Sequence, residues 1–306
     1  RFVRRLHDER YKVIITGSNA KLLSSELATH LTGRYRKIEL FPFSFSEYLR
    51  FKAIASQSLT TKNTARIVKA FDEYLVSGGF PEYLYDGSAE DLQNTYSDIL
   101  YKDLIIRFGI KNQKAFKNLA MYLFRNFTGE ISYNSLKSIT GISNTNTIKD
   151  YVDYLQQAYL VFELHKFDYS LKKQMAYTKK IYAIDNGMRN SMAYRISKEQ
   201  GQLLENLIFI ELKKRYQDVW FYKSPEGYEV DFLIEGNPPG LFQISYSLQD
   251  ERTKKREIRG LITAMQTLGT RQATIITYNE ETRLTEAGYS IDAIPAWKWC
   301  MGRAPA

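Results

Sequence analysis

The sequence is poor in the residues that staple small folds or hold metals. It has one cysteine, Cys300, and three scattered histidines, His7, His30 and His165. A single cysteine cannot pair within the chain, which excludes a disulfide scaffold and fits a reducing, cytoplasmic setting. Histidines without ligand spacing and a lone cysteine give no reason to expect zinc. No stretch approaches the ~18 apolar residues that span a bilayer, so no membrane partner is expected. No Gly-x-x-x-x-Gly-Lys-Ser/Thr run occurs anywhere, so the chain has no phosphate-cradling loop of that kind. Internal repeats and low-complexity linkers are also lacking, and no Ser-His-Asp arrangement follows from spacing.

What is present is ordinary material for a folded protein. The 306 residues are 44% hydrophobic and 25% charged, enough to bury a core in two or more domains. A net charge of +9 raises the expectation of a polyanionic partner. The charge is uneven: residues 1–60 and 111–190 each carry +6, residues 61–110 carry −3 and residues 191–306 are neutral. The 23 tyrosines and 17 phenylalanines read as core and interface mass, with a stacking platform for single strands as the lesser alternative.

Patterning divides the chain into modules. Tyr11-Lys-Val-Ile-Ile-Thr16 is an apolar, β-branched run typical of a buried parallel strand, and Gly17–Ala20 turns it into a helix over 21–31. Such a unit cannot fold alone, and this leads to the expectation that the chain is a fragment of a longer protein. A second strand is expected at 36–41, then helices from Ser44 or Ser46 to about Ala55 and over 63–76. Gly78-Gly79-Phe80-Pro81 is a firm break, followed by helices at 88–108 and 113–127. Helices at 133–140 and 144–158 flank Gly141-Ile142-Ser143. Strands at 159–166 and 179–184 around a polar loop at 168–176 then complete a winged-helix outline. The remainder reads as a helix (203–216), strands at 218–223, 229–235 and 241–246, a helix (252–268) and a strand (272–278).

Taken together, Thr16-Gly-Ser-Asn19, Leu31-Thr-Gly-Arg34, Glu39-Leu-Phe-Pro-Phe-Ser44 and Glu47-Tyr-Leu49 resemble the predicted prokaryotic AAA+-type ATPases that carry an uncharacterised C-terminal domain. Gly78-Gly-Phe-Pro-Glu82, Tyr101-Lys-Asp-Leu104 and Lys180-Ile-Tyr-Ala-Ile-Asp-Asn-Gly187 extend the likeness downstream. The resemblance places Ser18 and Asn19 at a sensor position beside nucleotide phosphates, and Arg34 where a guanidinium approaches the γ-phosphate. By residue type alone, Asn19 serves equally as a helix N-cap and Arg34 as a surface arginine. The resemblance implies ATP and Mg²⁺ in the intact parent. With the phosphate loop lacking, this chain is not expected to bind or hydrolyse ATP well.

Two further modules carry chemistry. In the winged-helix candidate, Asn144, Asn146 and Lys149 begin the second helix, and Lys172 and Lys173 sit on the wing. Asp150 and Asp153 leave that helix net negative, so the wing is expected to carry phosphate contact, with docking to the ATPase or another protein as the competing reading. In the last module, Glu229 and Asp231 share a strand face because side chains repeat every two residues. Its order resembles the restriction-endonuclease-like fold. That resemblance maps Glu205 to the helix acid, Asp231 to the strand aspartate and Gln243 to the position that is often acidic, with Glu229 as a further carboxylate. Glu205 and Asp231 are the pair that would bind Mg²⁺. Ser245 stands where a lysine belongs, so the site is expected to have lost its cation, with Lys254 or Lys255 as replacements. An inactive or weak nuclease-like module is favoured, and a polar or salt-bridge cluster retained by the fold is the plain alternative.

The expected architecture is therefore α/β and α+β, multidomain. It comprises an ATPase-domain remnant (1–50), a helical lid (51–110), a winged helix (111–190) and a restriction-endonuclease-like α/β domain (200–306). The expected function is a nucleic-acid- or protein-binding module, against a metal-dependent DNA nuclease and a signalling adaptor. The expected partners are DNA, the missing N-terminal ATPase region and further copies of the chain.

Overall fold

The structure, a computed structural model, describes residues 2–15, 36, 38–57, 59–192 and 199–302. Ser18, Asn19, Arg34 and the turn and helix expected at 17–31 lie outside these residues. Two expected strands are corrected. Residues 11–15 and 38–40 form no strand and are exposed, with Ile14 78% and Leu40 89% accessible. An apolar β-branched run becomes a strand only when a neighbour takes up its backbone groups, and no described residue does so.

The N-terminal half is helical: α1 (Phe2–Asp8), α2 (Phe45–Phe51), α3 (Thr61–Ser77), α4 (Pro81–Asp86) and α5 (Ala89–Asp98), which runs on as a π-helix over Ile99–Ile106. Local chemistry sets these boundaries. Ser44 Oγ accepts from Glu47 N while Glu47 Oε2 accepts from Ser44 N, a capping box that starts α2. In α3, Ile67, Ala70, Phe71, Tyr74 and Leu75 are buried, the spacing of one helical face.

The chain continues with α6 (Gln113–Arg125), β1 (Glu130–Ile131), α7 (Tyr133–Thr140), α8 (Thr145–Gln157), β2 (Val161–Lys166), α9 (Leu171–Ala176), β3 (Lys179–Ala183) and α10 (Asn186–Met192). Gly141 ends α7 in the left-handed conformation, and the Asn144 side chain caps α8. The segment expected as a polar loop at 168–176 contains α9. Asp168 Oδ1 accepts from Ser170 N, and good helix formers follow.

The last third holds α11 (Gln200–Arg215), β4 (Val219–Lys223), β5 (Glu229–Ile234), β6 (Gly240–Ser245), α12 (Glu251–Leu268), β7 (Gln272–Thr277), β8 (Thr282–Glu286), β9 (Tyr289–Pro295) and α13 (Ala296–Cys300). One mixed sheet gathers the strands in the order β1-β3-β2-β4-β5-β6-β7-β9-β8. The β2–β3 hairpin joins it because β2 runs parallel to β4, pairing His165 with Trp220 and Lys166 with Phe221. A single sheet thus runs through both 111–190 and 200–306, in a mixed α/β fold.

The main core includes Phe45 and Phe71 beneath α2 and α3, Phe116 and Phe124 of α6, Tyr182 of β3, and Phe209 and Phe232. α11 lies inside it, with Leu204, Ile208 and Leu212 wholly buried. A second cluster, including Val230, Leu261, Met265, Ile275 and Ile291, sits under α12.

A buried polar knot ties the helical half to the sheet. Asp185 Oδ2 accepts from Gly79 N at 2.7 Å and Oδ1 from Met188 N at 2.9 Å. Asn186 Nδ2 donates to Leu75 O (2.8 Å) and Leu203 O (2.9 Å). Asn206 Nδ2 donates to Asn186 Oδ1 at 2.9 Å, and Asn206 Oδ1 accepts from Ala183 N at 2.8 Å. Backbones approach so closely here that a Cβ on Gly187 would collide with the carbonyl oxygen of Ser77. The Gly78-Gly79 and Asp185-Asn186-Gly187 segments are two sides of one contact.

Candidate functional site

The side chains singled out at the start of α11 and on β5 converge. Glu205 comes from the first half of α11; Glu229 and Asp231 come from one face of β5, as their spacing predicts. All three point at one ammonium, that of Lys180 on β3. Its Nζ lies 2.7 Å from Glu229 Oε1, 3.1 Å from Asp231 Oδ1 and 3.2 Å from Glu205 Oε1. Lys180 is only 5% exposed, so little water screens these contacts. Tyr182, two residues on and on the same face of β3, donates its hydroxyl to Glu205 Oε1 at 2.7 Å and stacks on Phe209 at 4.0 Å.

The expectation that this site has lost its cation is corrected. Ser245 does stand at the lysine position, and its hydroxyl turns away to Ser247 O at 3.0 Å. Lys254 pairs with Glu251 at 3.7 Å and Lys255 is exposed, so neither replaces it. The positive charge arrives from β3 instead. Sequence spacing around β5 and β6 could not find it, because Lys180 is 51 residues from Asp231. The available signal was strand alternation in β3, which sets Lys180 and Tyr182 on one face.

Gln243 reaches the site only through the backbone: its Oε1 accepts from Asp231 N at 3.2 Å. Asp231 Oδ2 accepts from Ile244 N at 2.9 Å, so both of its oxygens are occupied. Two more acids border the cluster. Lys223 bridges Glu229 at 3.5 Å and Glu130. Glu257 on α12 is buried, and Arg256 meets it at 2.5 Å.

Electrostatics follow from this packing. Burial pushes the Glu205 carboxyl up to about 7, with Asp231 adding to the rise and Lys180 and Tyr182 opposing it. Burial opposes the charge on Lys180, yet the acid groups around it hold its ammonium well above the usual lysine range. Glu257 is raised by burial, against Arg256 and with Asp231 and Glu229.

The expected Mg²⁺ pair, Glu205 and Asp231, does not fit a divalent ion as it stands. An ammonium fills the space between the carboxylates, and among the described residues no group of three or more His, Cys, Asp or Glu is arranged to hold a metal.

The residues expected to meet nucleic acid lie elsewhere on the surface. Asn144 Oδ1 accepts from Asn146 N at 2.9 Å, so it is spent on capping; Asn146 and Lys149 are exposed beside it. Lys149 stands over the Tyr133 ring at 5.5 Å and Lys179 over the same ring at 5.0 Å, so Tyr133 joins the start of α8 to the base of the hairpin. Lys172 and Lys173 are exposed on α9, and Lys173 reaches Asp168 at 4.0 Å.

Comparison with known proteins gives these features a context. Residues 1–49 match the family model described as an AAA domain. Residues 68–200 match a Domain of unknown function (DUF8612), and residues 200–299 match a Domain of unknown function (DUF4143). The Uncharacterized protein MJ1544 of Methanocaldococcus jannaschii is 36% identical, over 98% of this chain and 71% of that protein. An uncharacterized protein of Haemophilus influenzae is 34% identical over 72% of this chain and 55% of its own length, so the match takes in little more than half of that relative. Among solved structures, the half-complex of Thermococcus gammatolerans McrB AAA+ hexamers with bound McrC aligns at a TM-score of 0.26 and 10% identity, covering 61% of this chain and 72% of that one, a likeness too slight to carry an argument. The extent of the match to MJ1544 and the AAA domain at the N-terminus establish that this chain belongs to the MJ1544 family, AAA-type ATPase-related proteins with an uncharacterised C-terminal domain.

Proposed function

We propose that this chain is the C-terminal portion of an AAA-type ATP-binding protein and works as a duplex-DNA-binding module that does not cleave what it binds. The observation that carries the second half is the Lys180 ammonium within 3.2 Å of three carboxylates. In a restriction-endonuclease-like domain such acids would hold a divalent cation beside the scissile phosphate. Here they neutralise an internal lysine, and the cluster serves as a structural closure between the β3 face and α11.

DNA contact falls to the winged helix, α7 and α8 with the β2–β3 hairpin. Lys149, Lys166, Lys172 and Lys173 supply charge for backbone phosphates, and of the two amides expected to meet nucleic acid Asn144 is spent on capping and Asn146 is exposed, so affinity without strong sequence preference is the expected outcome. ATP and Mg²⁺ belong to the intact parent, whose remnant (1–50) precedes a helical lid (51–110). Asp185, bonded to Gly79, supports transmission of lid movement to the sheet. A homo-oligomer of the parent fits this reading.

The test is binding of a 20-base-pair duplex across ~50–200 mM salt, with plasmid cleavage measured in Mg²⁺ and Mn²⁺. Salt-dependent micromolar or tighter binding with no cleavage is expected. Absence of binding at low salt would overturn the DNA assignment. One alternative is favoured by the convergence of Glu205, Glu229 and Asp231: a metal-dependent nuclease in which a cation displaces Lys180. Cleavage abolished by Asp231→Asn would establish it.

A further inference from the structure

Residues 191–306 carry no net charge, yet one helix among them segregates its charges sharply. Arg252, Lys255, Arg256 and Arg259 of α12 are all exposed. At 3.6 residues per turn they fall within about 100° of one another, on a single helix face. Glu257, Ile258, Leu261, Ala264 and Met265 occupy the opposite side and are buried. Thr263, Gln266 and Thr267 continue the outer face toward the helix end, so it presents cations and neutral polar groups without a carboxylate.

The acids near this face are engaged elsewhere. Asp250 caps the helix, its Oδ1 accepting from Arg252 N at 3.3 Å. Glu251 pairs with Lys254 at 3.7 Å, and the buried Glu257 takes Arg256 at 2.5 Å. Arg252, Lys255 and Arg259 enter no ion pair among the described residues, so their charge is uncompensated. The helix that carries them is fixed in place. Gly260 lets its backbone close on β5, where a Cβ would lie 2.9 Å from the Glu229 carbonyl oxygen. The Arg259 guanidinium stands 4.9 Å from the centre of the Tyr228 ring, just before β5. The cations are therefore presented on a rigid element, which limits the backbone ordering that contact would require.

We propose that the outer face of α12 is a phosphate ladder, a second contact through which the last third of the chain holds the backbone of a nucleic-acid duplex. This rests on the duplex-binding reading above and adds a surface to it, apart from the winged helix. Charge complementarity selects a polyanion. From Arg252 to Arg259 the face runs about 10.5 Å, a length matched to about three successive phosphates of one strand. Arginine suits such a partner, because its planar fork takes phosphate oxygens bidentately. A helix that lies on a membrane turns apolar side chains to the lipid, whereas the apolar side of α12 is spent on the core. A protein interface is built around apolar and aromatic anchors, and this face offers none: Tyr228 lies beneath Arg259. With no open ring to stack on, a single strand is less well served than the regular backbone of a duplex.

The experiment uses the full chain and a fluorescently end-labelled 20-base-pair duplex, with affinity read by anisotropy across ~50–200 mM salt. Arg252→Gln, Lys255→Gln and Arg259→Gln together are expected to lower the salt slope by about 2.7 and to weaken binding roughly tenfold or more. Arg252→Lys with Arg259→Lys keeps the charge and is expected to keep the slope. Because the three side chains are exposed, circular dichroism and thermal melts of both variants should match the parent chain. If the duplex binds and the Gln triple changes neither slope nor affinity, the ladder is overturned while the winged-helix contact stands. If the Gln triple loses binding and Lys172→Gln with Lys173→Gln does not, the ladder stands and the winged-helix assignment falls. If the parent chain binds no duplex, both fall. A Lys variant that loses the slope as the Gln triple does overturns the ladder in favour of a structural role. If the parent chain binds phosphatidylserine vesicles in preference to duplex, and the Gln triple removes that binding, the face serves a membrane surface and the ladder is overturned.

Discussion

The Tyr182 hydroxyl and the Lys180 ammonium meet at the same oxygen of Glu205, at 2.7 and 3.2 Å. One strand face thereby addresses one helix carboxylate twice, once with a neutral donor and once with a cation. This arrangement makes Lys180 the residue on which the cluster depends. Lys180→Met leaves three carboxylates facing one another in a largely buried space. It should destabilise the fold by about 3–5 kcal/mol, the range for removing one partner of a buried ion pair. Urea unfolding at pH 7 measures this. Adding Glu205→Gln should restore part of the loss, and an effect below about 1 kcal/mol would show that the ammonium is not structural.

Glu205 also gives a pH dependence of definite sign. Its carboxyl titrates near 7 in the fold against an ordinary value of 4.5, so between those values the native state binds more protons than the unfolded one. Stability contributed by this group is therefore lost as pH rises through that window. Glu163, Asp185 and Glu257 are raised by burial and act in the same direction. The unfolding free energy of the parent chain should fall between pH 5 and pH 7.5 relative to the Glu205→Gln variant, by about 1–3 kcal/mol. Parallel curves for the two proteins would contradict the assignment.

The knot between Gly79 and Asp185 should be the most intolerant place outside the apolar core. Gly187→Ala forces a methyl group onto the Ser77 carbonyl and should cost about 3 kcal/mol or prevent folding. Asp185→Asn keeps the volume but replaces an acceptor of Gly79 N or Met188 N by a donor, for a loss of about 1–3 kcal/mol. Chemical denaturation of both variants, with Gly201→Ala as a control where the added carbon meets nothing, separates local collision from a general helix effect.

Much of this was legible in the sequence because the physics is local. Ser44 with Glu47 marks a capping box within four residues, α3 repeats its apolar positions at helical spacing, and Glu229 and Asp231 share a face by alternation. What escaped depends on partners distant in the chain. Lys180 entered only through the likeness at 180–187, because alternation in β3 pairs it with Tyr182 without saying that its side chain turns inward to acids 25 to 51 residues away. The runs at 11–15 and 38–40 have strand composition, yet a strand is a property of a pair. α9 was hidden by its charge: Lys172 and Lys173 made a helix look like a polar loop.

The short parallel register of β2 on β4, His165 with Trp220 and Lys166 with Phe221, has a practical consequence for anyone dividing the protein. Two family models meet at residue 200, an inviting place to cut. The hydrogen-bonded ladder ignores that boundary. A piece beginning there would carry β4 with one bare edge and the Glu205–Asp231 acids without Lys180. Open edges recruit neighbouring chains, and a buried negative cluster stripped of its counterion resists folding. That last third alone should collect in the insoluble fraction, whereas a piece beginning before β1 keeps the ladder whole.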